Sequence, residues 1–278
     1  MPTSTGAGPF RHSHVIERDG VSLRVLDTGV PAGAGPVPCL LLLHGLGGCA
    51  LEWTGVAGRL AEDARVVAFD ARGHGGSTRR PEDLSRAAHV ADVAAVVEDL
   101  ALGPVVLVGQ SCGGHTALMA AATRPDLVTR LVLVEGGVGG EGAEHTAPVS
   151  DWFRAWPQPF ADRRAAVDFL GGGPAAEAWA DGLEATAEGL RGRWDADVLH
   201  EVLLAVHTQD RWDECRSVTA PTLLVRGGEG SQPAAEFDAM LEANRHAEGV
   251  VVPGAGHDVH LDAPDAVAEA IFPRREKS

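Results

Sequence analysis

Gly109-Gln110-Ser111-Cys112-Gly113 lies between an apolar run, Val105-Val106-Leu107-Val108, and a helix-prone stretch, His115-Thr116-Ala117-Leu118-Met119-Ala120-Ala121-Ala122. A serine between glycines, where a strand gives way to a helix, is the signature of a nucleophile elbow. Such a turn is sharp and holds its serine in a strained backbone conformation. Gly109 and Gly113 carry no β-carbon, so strand and helix can approach closely around it. The hydroxyl is then presented at a helix N-terminus, where backbone N–H groups stabilise a developing anion. The string by itself is common; the strand before it and the helix after it carry the reading.

The pattern continues on both sides. Val21 to Asp27 alternates like a strand, and Val15-Ile16 begins its hairpin partner across Asp19-Gly20. Cys39 to Leu43, Val66 to Phe69, Val105 to Val108, Leu131 to Val134, Thr222 to Val225 and Val250 to Val252 are short, continuous apolar runs. Buried parallel strands read this way, because helices cover both faces of the sheet. Val90, Val93, Val97 and Leu100 share one helical face, and Ala234 to Asn244 and Asp265 to Phe272 also read as helices. Strands alternating with helices mean an α/β fold with a mostly parallel sheet.

One gap breaks the alternation. About 80 residues separate the strand ending near Glu135 from the one beginning at Thr222, far beyond a usual connection. Trp152, Trp156, Trp179, Trp194 and Trp212, five of the chain's six tryptophans, fall there with Phe153, Phe160 and Phe169. Helix-like pieces run from Arg163 to Leu170, Glu177 to Leu190 and Asp197 to His207. The expected organisation is a helical cap over 138–215, inserted into a core built from 1–137 and 216–278. Most of the tryptophans should pack the cap's own small core. One or two should wall the active site.

A serine hydroxyl is a poor nucleophile until a base takes its proton. Val250-Val251-Val252-Pro253-Gly254-Ala255-Gly256-His257-Asp258 supplies His257 just after the last strand, on a loop that glycines leave free to bend. His260 is the rival, but His257 lies closer to the strand end, where the carboxyl edge of a sheet gathers functional groups. A metal site from His257, His260 and Asp262 matches no known ligand spacing. Two oxyanion donors are expected, the Cys112 N–H and the Leu46 N–H of the loop His44-Gly45-Leu46-Gly47-Gly48. That loop also contains a decoy: Gly45-x-Gly47-x-x-Ala50 satisfies a dinucleotide fingerprint, with Asp63 and Asp70 placed as ribose ligands. The fingerprint usually opens the first βαβ unit, whereas strands precede this one, and it leaves the serine elbow unexplained.

The elbow Gly109 to Gly114, the loop His44 to Gly48, the turn Asp70-x-Arg72-Gly73-His74-Gly75-x-Ser77 and the terminal Gly256-His257, in that order, resemble the α/β-hydrolase fold superfamily. The resemblance spans roughly Val21 to Phe272 outside the cap. It implies an eight-stranded, mostly parallel sheet flanked by helices, no cofactor, and a Ser–His–acid triad with Leu46 and Cys112 forming the oxyanion hole. It gives the Asp70 to Ser77 turn and His44 loop-shaping roles. A serine at the elbow excludes the aspartate-nucleophile members. The departure is the acid. Family members usually place an Asp shortly past the glycine that ends the seventh strand, but this chain reads Gly227-Gly228-Glu229-Gly230-Ser231-Gln232. Two substitutes remain. Glu135 ends the sixth strand, where some relatives carry their acid, and Glu229 lies one or two positions early. Glu135 is favoured, because a buried carboxylate at a strand's end needs a partner.

Composition removes other classes. The chain carries 23 Lys and Arg against 39 Asp and Glu, a net charge of −16, which fits neither nucleic acid nor an anionic membrane as partner. Met1 to Gly20 is polar and lacks an apolar signal core. No stretch approaches the roughly 20 apolar residues that span a bilayer, so a soluble, cytoplasmic protein is expected. Cys39, Cys49, Cys112 and Cys215 show no C-x-x-C spacing and read as reduced thiols. The functional expectation is a serine hydrolase that cleaves a carboxylic ester or lactone of a small, largely apolar substrate through an acyl-enzyme on Ser111. A thioesterase or a carbon–carbon bond hydrolase could use the same triad. A non-catalytic ligand-binding protein on this fold is the contrasting class.

Overall fold

Every apolar run expected to be a strand lies in one sheet. The computed structural model describes residues 8–273; the opening of the polar Met1 to Gly20 segment and the extreme C-terminus lie outside the described residues. The strands are β1 (His12–Arg18), β2 (Val21–Asp27), β3 (Cys39–Leu43), β4 (Arg65–Phe69), β5 (Val105–Gln110), β6 (Val128–Val134), β7 (Glu184–Thr186), β8 (Gly189–Arg191), β9 (Thr222–Gly227) and β10 (Ala247–Val252). Eight of them form a sheet in the order β1-β2-β4-β3-β5-β6-β9-β10. β2 runs antiparallel to both of its neighbours, and all pairings from β4 to β10 are parallel. The hairpin across Asp19-Gly20 closes with Arg18 opposite Val21. β10 begins three residues before the run that announced it, because Glu248 and Gly249 are exposed at the sheet's edge and carry no apolar signal.

The helices are α1 (Thr54–Leu60), α2 (Arg86–Asp99), α3 (Cys112–Thr123), α4 (Thr146–Arg154), α5 (Arg163–Phe169), α6 (Gly173–Gly182), α7 (Ala196–His207), α8 (Trp212–Ser217), α9 (Ala234–Ala243), α10 (Val259–Asp262) and α11 (Pro264–Ile271). Ser85, Asp162 and Asp195 cap α2, α5 and α7 by accepting first-turn N–H groups. Successive strand residues point to opposite faces. Leu41 and Leu43 therefore pack with Val93, Val97 and Leu118 on one side, and Leu40 and Leu42 with Val56, Leu60 and Ile271 on the other. Leu40, Leu41 and Leu42 are fully buried, each contributing about 1.5–3 kcal/mol of apolar burial. Continuous apolar strands are thus the sequence record of a sheet covered on both faces.

The segment between β6 and β9 builds a third cluster, in which Phe153, Trp156, Phe160 and Trp194 pack with Leu199 and Val202 and reach Leu46. One expectation fails there. The helix expected from Glu177 to Leu190 is α6 followed by the β7–β8 hairpin. α6 stops at Gly182, Thr186 Oγ1 donates to the Gly189 carbonyl at 2.9 Å, and Leu190 exchanges backbone hydrogen bonds with Phe160. Pairing with a residue some thirty positions away (190 − 160 = 30) overrides the local helical pattern. α4 carries Pro148 in its first turn, where a missing N–H costs no helical hydrogen bond. The expected core–cap boundary at 215/216 falls inside α8, whose Trp212 and Cys215 pack with the sheet-side cluster of Leu118 and Met240. Among the described residues no helix is long and apolar enough to cross a membrane.

Candidate active site

Strand order assembles the site. From β3 the chain moves to β4 on one side and then returns to β5 on the other, so the direction of winding reverses between β3 and β5. Ligand crevices in open α/β sheets open at such a reversal, beyond the strands' carboxyl ends. The loops following β3, β5, β6, β9 and β10 carry Leu46, Ser111, Glu135, Ser231 and His257, and all five residues line one cavity of about 440 Å³.

Ser111 joins β5 to α3 with φ 51° and ψ −120°, left-handed backbone that a non-glycine residue adopts only when its surroundings force it. The forcing is steric closeness. A β-carbon on Gly109 would overlap the Gly113 carbonyl, and one on Gly113 would overlap the carbonyl oxygens of Leu43 and His44. The N–H groups of Cys112 and Leu46 have no acceptor among the described residues, and both residues line the cavity. Two unpaired donors beside a serine at a helix N-terminus form a site for negative charge. The Cys112 thiol is pushed up by burial, which disfavours the thiolate that a cysteine nucleophile needs. All four cysteines are free.

His257 Nδ1 lies 2.8 Å from Ser231 Oγ and 3.2 Å from Glu135 Oε2. Its proton is therefore held on Nδ1 by a hydroxyl and a carboxylate, which leaves the Nε2 lone pair free. Glu135 is buried, with φ 49°, and accepts the Gly227 N–H at 2.7 Å and the Gln232 N–H at 2.9 Å. Burial works to raise its carboxyl, but the hydrogen bonds from His257, Gln232 and Gly227 outweigh it and hold the group below the ordinary carboxylate value. Glu229, the alternative acid, is exposed and does not line the cavity, and among the described residues only its backbone N–H is engaged, donating to the Ala255 carbonyl. A β-carbon at Gly230 would overlap the Glu135 carboxylate. The carboxylate from β6 thus fills the space that a side chain at position 230 would need. No hydrogen bond joins Ser111 Oγ to the imidazole among the described residues; such contacts are often long until substrate is bound.

Neighbouring groups hold the loops in place. His44 donates Nδ1–H to the Gly45 carbonyl at 2.7 Å and accepts the Ala71 N–H on Nε2 at 3.0 Å, tying the β3 loop to the β4 loop. Asp70 takes the Ala50 and Gly76 N–H groups and the Arg24 guanidinium on its oxygens, so the Asp70 to Ser77 turn is structural and Asp70 faces no ribose. His260 does not approach the serine: it is buried against Trp53, ring centroids 4.4 Å apart, and burial takes its pKa down to about 4. Among the described residues no group of three or more histidine, cysteine, aspartate or glutamate side chains is placed to hold a metal ion. Two linking residues were not anticipated. Gln110 donates to the His257 carbonyl at 3.2 Å, and Trp179 Nε1 donates to Asp258 at 2.9 Å. Of the tryptophans, Trp152 and Trp179 line the cavity, while Trp156 and Trp194 are buried in the cluster behind it.

Sheet order, elbow and loop contacts define a hydrolase. Residues 40–270 match the model of the Alpha/beta hydrolase family, and the chain belongs to that family. It is 32% identical over 253 residues to the sn-1-specific diacylglycerol lipase ABHD11 of Mus musculus, covering 86% of this chain and 81% of that one. Among solved structures it is similar to E-2-(acetamidomethylene)succinate hydrolase, with a TM-score of 0.82, 26% identity and coverage of 93% and 97% of the two chains. A thioesterase domain from the curacin biosynthetic pathway follows, with a TM-score of 0.76, 27% identity and coverage of 93% and 98%.

Proposed function

We propose that this hydrolase cleaves a carboxylic ester or lactone of a small, largely apolar substrate through an acyl-enzyme on Ser111. Ser111 Oγ attacks the carbonyl carbon while His257 Nε2 takes its proton. The carbonyl oxygen becomes an oxyanion held by the Leu46 and Cys112 N–H groups, and Glu135 holds the imidazolium that forms. Collapse breaks the bond to the alcohol, which leaves with the proton from His257. Water then repeats the sequence on the acyl-serine, releasing the acid and restoring Ser111. The segment 138–215 acts as a cap, with its Trp152, Phe153 and Trp179 joining Leu46 of the β3 loop in the apolar wall of the cavity.

The observation that carries the reading is the Glu135–His257 contact in the same cavity as a strained serine and two unpaired N–H donors. The names of the relatives, a lipase, a succinate-derivative hydrolase and a thioesterase, share acyl transfer to water and differ in leaving group. The thioesterase likeness makes a thioester the second substrate to try. Turnover of p-nitrophenyl hexanoate, a γ-lactone and hexanoyl thioester tests the proposal. Hydrolysis of the oxygen ester or lactone that disappears in Ser111→Ala is expected. Preference for the thioester would move the assignment to thioesterase, and equal rates in wild type and Ser111→Ala would refute the acyl-enzyme.

A further inference from the structure

The cavity around Ser111 has four carboxyl groups in its wall, Glu135, Glu141, Glu236 and Asp258, and neither a lysine nor an arginine. Its other titratable side chains are the Cys112 thiol and the imidazoles of His115, His207 and His257. Burial pushes His115 well below the ordinary imidazole value and lowers His207 as well, so neither supplies positive charge at neutral pH. Glu135 is committed to His257, and Asp258 to Trp179 and Gln110. Glu236 accepts the Val138 N–H at 3.1 Å and a hydrogen bond from the Gln232 side chain, and Glu141 lies 3.9 Å from His207 Nε2. Burial raises the Glu236 carboxyl, and the charge of the neighbouring Glu141 pushes to a smaller extent in the same direction. The guanidinium of Arg86 faces elsewhere: it donates to the Cys112 carbonyl and to Thr116 Oγ1 and lines a separate cavity of about 20 Å³ with His74 and His89.

A carboxylate entering the main cavity meets like charge and aromatic wall, and no lysine or arginine lines the cavity to pair with it directly. At an effective dielectric of about 20, a like charge roughly 6 Å away weakens binding about 100-fold, and unpaired desolvation adds to the loss. We propose that this cavity selects uncharged acyl groups and rejects carboxylate-bearing ones, with Glu141 and Glu236 imposing the selection. The proposal rests on the hydrolase reading above for its location, and it commits that reading to substrates without a free acid.

Three esters of one chain length test it: p-nitrophenyl hexanoate, mono-p-nitrophenyl adipate, in which the terminal methyl is a carboxylate, and p-nitrophenyl methyl adipate, in which that carboxylate is masked. The expected kcat/KM for the mono-adipate is about 100-fold below hexanoate, with methyl adipate close to hexanoate. In Glu141→Gln/Glu236→Gln the gap should narrow about tenfold or more. Mono-adipate within threefold of hexanoate would overturn the proposal. So would methyl adipate as poor as mono-adipate, which indicates size, or a gap unchanged in the double variant. Calorimetric binding of the same esters to Ser111→Ala makes the comparison without turnover. Failure of all three esters to turn over in wild type would count against the hydrolase reading, whereas equal binding of charged and uncharged esters would count against this one.

Discussion

Two non-glycine residues at the carboxyl edge of the sheet have positive φ, Ser111 and Glu135, and both face the same imidazole region. Strain of this kind costs of order 1–3 kcal/mol per residue and persists where the surroundings over-determine it. At Glu135 the three hydrogen bonds to its carboxylate do so. Glu135→Gln should lower kcat for p-nitrophenyl hexanoate by about 10³–10⁴, the loss expected when the group orienting a triad imidazole is neutralised. Glu229→Gln should leave kcat within about twofold, as befits a surface change. Ser231 Oγ sits 2.8 Å from the same Nδ1. Ser231→Asp in the Glu135→Gln background should therefore recover a measurable part of the lost rate, and the opposite ranking of the two glutamates would overturn the assignment. Ser111 and His257 were legible because each stands in a local string whose geometry the string itself enforces. The sequence favoured Glu135 over Glu229 only on the general ground that a buried carboxylate needs a partner, because the choice turns on a contact across 122 residues and on space left open at Gly230.

Among the elements, the turn between β5 and α3 fixes Ser111 and the Cys112 N–H, and its close approach to the loop after β3 sets where the Leu46 N–H lies. Gly113→Ala would drive a β-carbon into the carbonyl oxygens of Leu43, the last residue of β3, and His44, the first of the loop after it. The expected result is a loss of about 1–3 kcal/mol in urea unfolding, together with a fall in kcat, since the displaced loop carries the Leu46 N–H. Unchanged stability and rate would show that the close approach is not needed. The parallel strands could be read from sequence because burial on both faces leaves a continuous apolar run, as in Leu40-Leu41-Leu42-Leu43. The inserted segment could not be read as well. There, Phe160–Leu190 pairing decides the structure over Glu184 to Arg191, and α4 is held by Phe153 packing against Trp156 and Trp194 rather than by its own propensity.

For the molecule as a whole, buried imidazoles set the response to acid. His74 is taken down to about 3 and His260 to about 4, and His89 and His115 also lie well below the ordinary value, in each case mainly through burial. Their folded pKa values are lowered, so between about 6.5 and those values the unfolded chain binds more protons, and stability falls as pH falls. Glu52 acts in the opposite sense. Burial raises it to about 8, so between about 4.5 and 8 the folded chain holds the extra proton, and stability declines as pH rises. The largest of these shifts, four imidazoles against the Glu52 carboxyl, give a stability maximum near pH ~6.5–7, a steep acid limb and a shallow alkaline one. Urea unfolding across pH 4.5 to 8.5 checks this; Glu52→Gln should flatten the alkaline limb, and an acid limb no steeper than the alkaline one would contradict it. None of these responses bears on whether Ser111 is the nucleophile, and for that the decisive measurement is covalent. Treated with a fluorophosphonate, the wild-type chain should gain one adduct mass that peptide mapping places on Ser111, and the adduct should be absent in Ser111→Ala and form far more slowly in His257→Ala. Labelling elsewhere, or equal labelling in Ser111→Ala, would contradict the account.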